Sequence, residues 1–292
     1  MYDDGSTVRT GFLVKVLKFE RRLRILDVGA NPLVEGDVSY KGLLDQGYAE
    51  VVGFEPQEHA LAALLERKSE AETYLPYALG AGQEKELHLF QSSGFTSVFP
   101  ADAASARYLG FHQAMKETDR VQIQTRRMDE ITEIGAVDFL KIDVQGSETE
   151  IISHGLKTLG GAVAVQSEVR FFPLYEGEPT YGELEQALAK GGFRFLKLAS
   201  LKHVSAASKW RKRLRRTIYS QAVDGDGFYL RDMRRPEAYS DDQLKALAIL
   251  ADGIMDAPDV TLFALDHLIA REAIPESSAE AYLATLPSEW TK

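Results

Sequence analysis

The chain has no cysteine among its 292 residues. That absence removes a disulfide framework, a thiolate metal site and a cysteine nucleophile together, and it suits a reducing compartment. Long uncharged apolar runs are missing as well. The longest stretch without Asp, Glu, Lys or Arg, Leu87 to Ala101, holds His88, Gln91, three serines and Thr96, whereas a bilayer-spanning helix needs roughly 20 mostly apolar residues. From Met1 to Arg24 the one apolar stretch is Phe12 to Leu17, interrupted by Lys15. No secretory signal is expected, and the protein is expected to be soluble and cytoplasmic. Solenoid-length repeats and low-complexity tracts are absent too. With 45% apolar and 27% charged residues the composition is globular, and the length suits one large domain or two modest ones at roughly 100 to 200 residues each.

Charge is unevenly spread. The formal net charge is −10, and the segment Glu237 to Lys292, with eleven acids and three bases, supplies −8 of it. The first 236 residues are therefore close to neutral, which argues against a generic polyanion binder. One run departs from this balance: Lys209 to Arg216 reads KWRKRLRR, six bases in eight residues. An anionic acceptor, a peripheral membrane contact, nucleic acid or a solvated face would each suit it. No nucleic-acid motif accompanies the run, so nucleic acid is not the expected partner.

Strand and helix patterns alternate, which predicts βαβ units and a mainly parallel sheet, an α/β fold. Strands are expected at Arg24–Val28, Glu50–Phe54, Val137–Asp143 and Ala162–Val169, then at Phe193–Leu198 and Gly227–Arg231. Glu72–Ala78, Lys85–Phe90 and Val121–Arg126 read as further strands. Helices are expected near Val38–Gln46 and over Gln57–Lys68, Ser147–Thr158 and Glu183–Lys190. After Pro236 the pattern becomes helical: Ser240 with Gln243 and Ser277 with Glu280 have the capping-box spacing, and leucines recur at helical intervals. Residues 1–236 are thus expected to form an α/β domain and residues 237–292 an acidic helical extension packed on it or on a second subunit of a homo-oligomer.

Three strand ends carry the chemistry. ILDVGAN, Ile25 to Asn31, is an apolar strand ending in Asp27 and entering a loop at Gly29. Ligands of open parallel sheets bind beyond such carboxyl ends, where glycine permits close approach. VVGFEP, Val51 to Pro56, brings Glu55 to the end of the next strand, 28 residues after Asp27. An acid there is the usual acceptor for vicinal ribose hydroxyls. The loop GANPLVEG, Gly29 to Gly36, is not G-x-G-x-x-G, so the better ligand is a nucleoside without a pyrophosphate, for which S-adenosylmethionine is the common candidate. DFLKIDVQGSE, Asp138 to Glu148, delivers Asp143 to the same sheet edge, with Gln145 and Glu148 around Gly146 as a helix begins. Glu148 suits a helix cap equally well.

LDVGAN, GFEP and DFLKIDVQGSE, in this order and spacing, resemble the FkbM family of S-adenosylmethionine-dependent methyltransferases, over about Arg24 to Asp232 and including TRRMDEI and DGFYLRD. The resemblance implies a seven-stranded Rossmann-like methyltransferase sheet, mostly parallel with an antiparallel last strand. It also implies O-methylation of a hydroxyl on a sugar, glycan precursor or related natural product. Carried over by position, Asp27, Gly29 and Asn31 would line the methionine part of the cofactor. Glu55, followed by Pro56, would bind the ribose, and Ala78 and Leu79 in PYALG would approach the adenine. Asp143 and Gln145 would lie where cofactor and acceptor meet. Many members have a further glycine two residues after the Asn, where this chain has Leu33 after Pro32.

Methyl transfer needs an in-line approach and a base for the hydroxyl proton. Asp143 is the first candidate and Glu168, ending AVAVQSEV, the second. A divalent metal shared by Asp143, Glu168 and one more oxygen ligand is the alternative role for these acids, but no tight ligand spacing marks it and no metal is expected. His154 and His203 read as surface or satisfied core residues. Ser92 to Phe99 suits a loop over the active-site edge, and the aromatics of Arg170 to Tyr181 suit either a carbohydrate platform or the core. An NAD-dependent oxidoreductase or epimerase, and a nonenzymatic interaction protein retaining the fold, are the competing readings.

Overall fold

Apolar strands too short and too uniformly buried to face water set the architecture. The computed structural model describes residues 4–30 and 38–292. It begins with α1 (Asp4–Val16), then β1 (Leu23–Val28), α2 (Lys41–Asp45), β2 (Ala49–Phe54), α3 (Glu58–Arg67) and β3 (Glu72–Leu75). A middle section carries β4 (Ala78–Leu79), β5 (Glu84–Phe90), α4 (Ala103–Leu109) and β6 (Glu117–Arg126). The second half continues with β7 (Phe139–Ile142), α5 (Glu148–Ser153), β8 (Ala164–Arg170), α6 (Tyr181–Lys190), β9 (Phe193–Leu198), β10 (Lys202–Val204) and β11 (Gln221–Arg231). Helices α7 (Asp241–Gly253), α8 (Pro258–Ala270) and α9 (Ser277–Leu283) complete it.

The main sheet runs β11-β8-β7-β1-β2-β3, with β9 and β10 sharing the outer edge of β11. Strands β8, β7, β1, β2 and β3 are parallel, and β11 is antiparallel to β8. Counting β9 and β10 as one interrupted edge, this is the expected seven-position sheet with its antiparallel last strand. The edge breaks opposite Gly225, where a Cβ would lie 2.3 Å from the Ser200 carbonyl oxygen. Strands β4, β6 and β5 form a separate three-stranded sheet, so the expected strands at Lys85–Phe90 and Val121–Arg126 pair with each other, off the main sheet.

Period-2 alternation divides the core. Ile25, Val51 and Phe139 pack with α1, α7 and α8 on one face, while Leu26, Val28, Leu140 and Ile142 pack with α5 and α6 on the other. The C-terminal helices therefore share a core with the sheet. Ser240 accepts from Gln243 N at 3.1 Å and Gln243 returns the bond at 3.0 Å, the expected capping box. At Ser277 no such box forms, because the helix already includes Ser277, and Glu276 before it makes no side-chain cap. The helix expected over Ser147–Thr158 stops at Ser153. Gly155 presses on Met128, and Asp129 accepts from Thr158 N at 2.7 Å to start a separate short turn.

A buried ion pair joins α1 to α7, and a hydrogen bond adds α9 to it. Arg9 Nε donates to Asp252 Oδ1 at 2.9 Å, and Tyr282 Oη donates to the same oxygen at 2.8 Å. Asp252→Ala would strand a buried guanidinium, so unfolding in urea should show a loss of roughly 3–5 kcal/mol. A loss below about 1 kcal/mol would show that the pair does not tie α1 to α7 and α9.

Candidate functional site

From β1 the chain steps outward to β2 and β3, then returns to β7 on the other side of β1. Where strand order reverses, the following loops diverge and leave a crevice beyond the carboxyl ends. A cavity of about 950 Å³ opens there, at the upper end of the roughly 300–1,000 Å³ range of small-molecule sites.

Its floor is charged. Asp27 on β1 lies in register with Lys141 on β7, and Lys141 Nζ sits 3.2 Å from Asp27 Oδ1. Tyr40 Oη donates to Asp27 Oδ2 at 2.6 Å. Burial is the largest effect on Lys141 and disfavours its charge, but Asp27, Asp143 and Asp226 outweigh it and raise its pKa. Asp226, from β11, has its own pKa raised by burial and by the nearby Asp143. Gln166 of β8 accepts from Ser39 Oγ at 2.5 Å on the same wall.

The loops above this floor touch. Gly29 has φ of +87°, and a Cβ there would lie 2.0 Å from the Asp143 carbonyl oxygen, so no other residue fits the crossing of the β1 and β7 loops. After Asp143 the turn is tight: Gln145 has φ of +57° and Gly146 of +114°. Glu148 closes it by accepting from Val144 N at 2.9 Å and Gly146 N at 3.0 Å. Burial pushes the Glu148 carboxyl up to about 7. Gln145 is held on every polar atom of its side chain. Its Nε2 donates to Asp143 Oδ1 at 3.2 Å and Glu168 Oε1 at 3.0 Å, and its Oε1 accepts from Arg170 and Tyr175.

Glu55, at the end of β2, is 2% exposed and lines the cavity. Gln57 N donates to its Oε1 at 2.8 Å, and burial nevertheless pushes its pKa up to about 7. Pro56, Ala78 and Leu79 line the same lobe, with Phe54 and Ile151 adding apolar surface. The loop expected over the site edge contributes Ser93, Gly94, Thr96 and Val98.

Glu168 stands behind this lining. Its Oε2 is 3.0 Å from Arg170 Nη2, and burial raises its pKa well above the carboxylate range. Arg170 also meets Glu178 at 3.3 Å and Asp224 at 3.0 Å. Asp143, Glu148 and Glu168 bring carboxylate oxygens within 4.8 Å of one another. Both Glu148 oxygens are already taken by backbone N–H groups, and Arg170 supplies the positive charge.

A model of the family described as "Methyltransferase FkbM domain" matches residues 27–195. The curated 2-O-methyltransferase NoeI of Sinorhizobium fredii is 24% identical over 163 residues, 53% of this chain and 66% of its own length. The chain thus spans a little under two thirds of that relative. Solved structures with a distant likeness include magnesium protoporphyrin IX methyltransferase from Synechocystis with bound SAM, 11% identical, TM-score 0.37, covering 78% of this chain and 80% of that one. Another is a S-adenosylmethionine dependent methyltransferase from Mesorhizobium loti, 11% identical, TM-score 0.38, covering 76% and 96%.

Of the residues singled out in the sequence, Asp27, Gly29, Glu55, Pro56, Ala78, Leu79, Asp143 and Gln145 border the cavity. Glu168 reaches it only through Gln145, and Asn31 lies outside the described residues. His154, His203 and the aromatics of Arg170–Tyr181 do not line it; Phe171 stacks on Tyr181 and Phe172 on Tyr108. Tyr40, Gln166 and Asp226 escaped sequence reasoning as floor residues, although Asp226 opens the DGFYLRD stretch and Gln166 lies in AVAVQSEV, because nothing local shows that their side chains reach this floor. Lys141 had a signal, its place two residues before Asp143 on an apolar strand.

Arg170 is 4% exposed and neutralises three acids. Arg170→Met should cost roughly 3–5 kcal/mol at neutral pH, read by urea unfolding, and less in acid where those carboxyls are protonated. A cost unchanged between neutral and acid pH would mean that Arg170 acts through packing alone.

Proposed function

We propose, from the premise that this chain belongs to the FkbM methyltransferase family, that it moves a methyl group from S-adenosylmethionine to a hydroxyl oxygen of a sugar, glycan precursor or related natural product. The observation that carries the reading is Glu55, a buried carboxylate ending β2 on the wall of the switch-point cavity. The residues present fit the cofactor. Glu55 accepts from vicinal ribose hydroxyls, and Ala78, Leu79 and Ile151 offer an apolar face to the adenine. Asp27, held by Tyr40 and Lys141, and the cavity-lining loop at Gly29 receive the methionine part. Similarity to a 2-O-methyltransferase supports oxygen as the methylated atom.

When bound, S-adenosylmethionine supplies an electrophilic methyl group whose leaving group is a neutral thioether. The chain's task is then to align the acceptor oxygen and take its proton. Asp143 does the latter. Gln145 Nε2 donates to Asp143 Oδ1 at 3.2 Å, which orients the carboxylate and leaves Oδ2 for the hydroxyl. Glu168 acts through Gln145, and Lys141, Asp226 and Gln166 provide polar partners for a polyhydroxy acceptor.

Calorimetric titration tests the cofactor class: S-adenosylmethionine and S-adenosylhomocysteine should bind and NAD should not, and tight binding of NAD alone would overturn the reading. Glu55 makes the affinity pH-dependent. Its folded pKa of about 7 stands above the ordinary 4.5, so the group is mostly protonated at pH 6 and ionised at pH 8. S-adenosylhomocysteine should therefore bind about tenfold more tightly at pH 8 than at pH 6, and Glu55→Gln should flatten the profile. The empty fold should in turn lose stability as pH rises from 4.5 towards 7, since the folded state holds the proton that the unfolded state has released. In a screen beginning with sugars, Asp143→Asn should lower kcat by about 10²–10⁴ while cofactor affinity stays within a few fold. An unchanged rate would remove Asp143 as the base.

A further inference from the structure

The basic run Lys209–Arg216 lies in the segment joining β10 to β11. β11 is antiparallel to β8, and its residue Asp224 pairs with Arg170 at the carboxyl end of β8. The segment preceding Gln221 therefore projects beyond the same sheet edge at which the cavity opens. It is fastened there. Ala207 N donates to Tyr108 O at 2.5 Å and Arg211 Nη1 to Leu109 O at 3.1 Å. Arg211 lies over Gly110, where a Cβ would come within 2.1 Å of its guanidinium. Just after that glycine, Phe111 packs on Phe95 with centroids 5.5 Å apart, and Phe95 stands among the cavity-lining residues Ser93, Gly94 and Thr96.

Two features set this segment apart. Among the described residues, none of its six bases forms an ion pair with an acid, in a protein of net charge −10. Between the bases and just after them stand large apolar side chains turned outward: Trp210 is 57% exposed, Leu214 50% and Ile218 59%. Lys209 and Arg213 flank the Trp210 ring at 5.0 and 5.8 Å. Bases alone would suit any polyanion, but exposed Leu and Ile gain nothing from a phosphate backbone. An anionic bilayer satisfies both at once, with headgroups meeting the cations and the acyl boundary receiving Trp, Leu and Ile. We propose that Lys209–Ile218 is a peripheral docking surface for an anionic lipid membrane, holding the cavity mouth towards the bilayer.

The full chain should sediment with phosphatidylcholine vesicles that contain phosphatidylglycerol and not with phosphatidylcholine alone, and rising salt should release it. In a Trp290→Phe background, Trp210 is the remaining tryptophan, and its emission should shift to the blue on binding. The triple variant Lys212→Glu/Arg215→Glu/Arg216→Glu spares Arg211 and should lower partitioning at least about a hundredfold, with an unchanged thermal melt showing that it folds. The proposal is overturned if wild type sediments equally with neutral vesicles or with none. It is equally overturned if the triple variant binds as wild type does, or if Trp210 emission stays fixed while the protein retards duplex DNA instead. These outcomes are independent of cofactor binding, so they do not stand or fall with the methyltransferase reading.

Discussion

The pairing of Asp27 with Lys141 across the two central strands holds the rest of the site in place. Both residues sit on interior strands with little exposure, and each would be costly to bury alone. They are neighbours because β1 and β7 run parallel in one register, with Asp27 opposite Lys141 and Val28 opposite Ile142. A one-residue slip would turn one of the two to the opposite face of the sheet. The ion pair therefore specifies strand register at the place where register decides which side chains meet the ligand. Tyr40 completes the arrangement by occupying the second carboxylate oxygen from α2's side of the crevice.

From that floor the chemistry is built by crowding acids around few cations. Lys141 faces Asp27, Asp143 and Asp226, while Arg170 faces Glu168, Glu178 and Asp224. Burial, with neighbouring carboxylates adding to it, leaves carboxyls with raised proton affinity at Glu55, Glu148 and Glu168. Gln145 separates the two clusters. It donates to one acid of each and so orients Asp143 beside Glu168. Its left-handed backbone is the strain of that placement, of the order of 1–3 kcal/mol for a non-glycine residue, and Ser97 Oγ donating to the Gln145 carbonyl at 2.6 Å helps to hold it.

What was legible in the sequence follows from how local each feature is. Asp27, Glu55 and Asp143 announce themselves because an acid ending an apolar strand is a short-range pattern, and the mainly parallel sheet follows from the βαβ rhythm. Glu148 reads as a helix cap, yet its carboxylate folds back on Val144 and Gly146, a distinction that depends on the backbone of Gln145 and not on spacing. The role of Arg170 was hidden among aromatics because its partners lie 2, 8 and 54 residues away. Helix α1 carries no clear apolar stripe, and its place is set by Leu13 and Leu17 entering the core beside α7, a tertiary effect that periodicity does not encode.

The distribution of charge completes the physical picture. Several acids of the C-terminal segment are already committed within the fold: Asp252 to Arg9, Asp242 to Arg21 and Asp241 to Arg271. Part of the tail's acidic charge is thus neutralised where it packs, by Arg9 of α1, by Arg21 ahead of β1 and by its own Arg271. The basic run obeys the opposite rule. A chain with ten more acids than bases had ample partners for six neighbouring cations, and Arg211 shows that this segment can anchor itself through backbone carbonyls alone. Leaving the run unpaired beside exposed Trp210, Leu214 and Ile218 forgoes both ionic and apolar burial within the monomer. Surface bases are individually unremarkable, but their coincidence with outward apolar side chains above the cavity is the arrangement that contact with an anionic bilayer would complete.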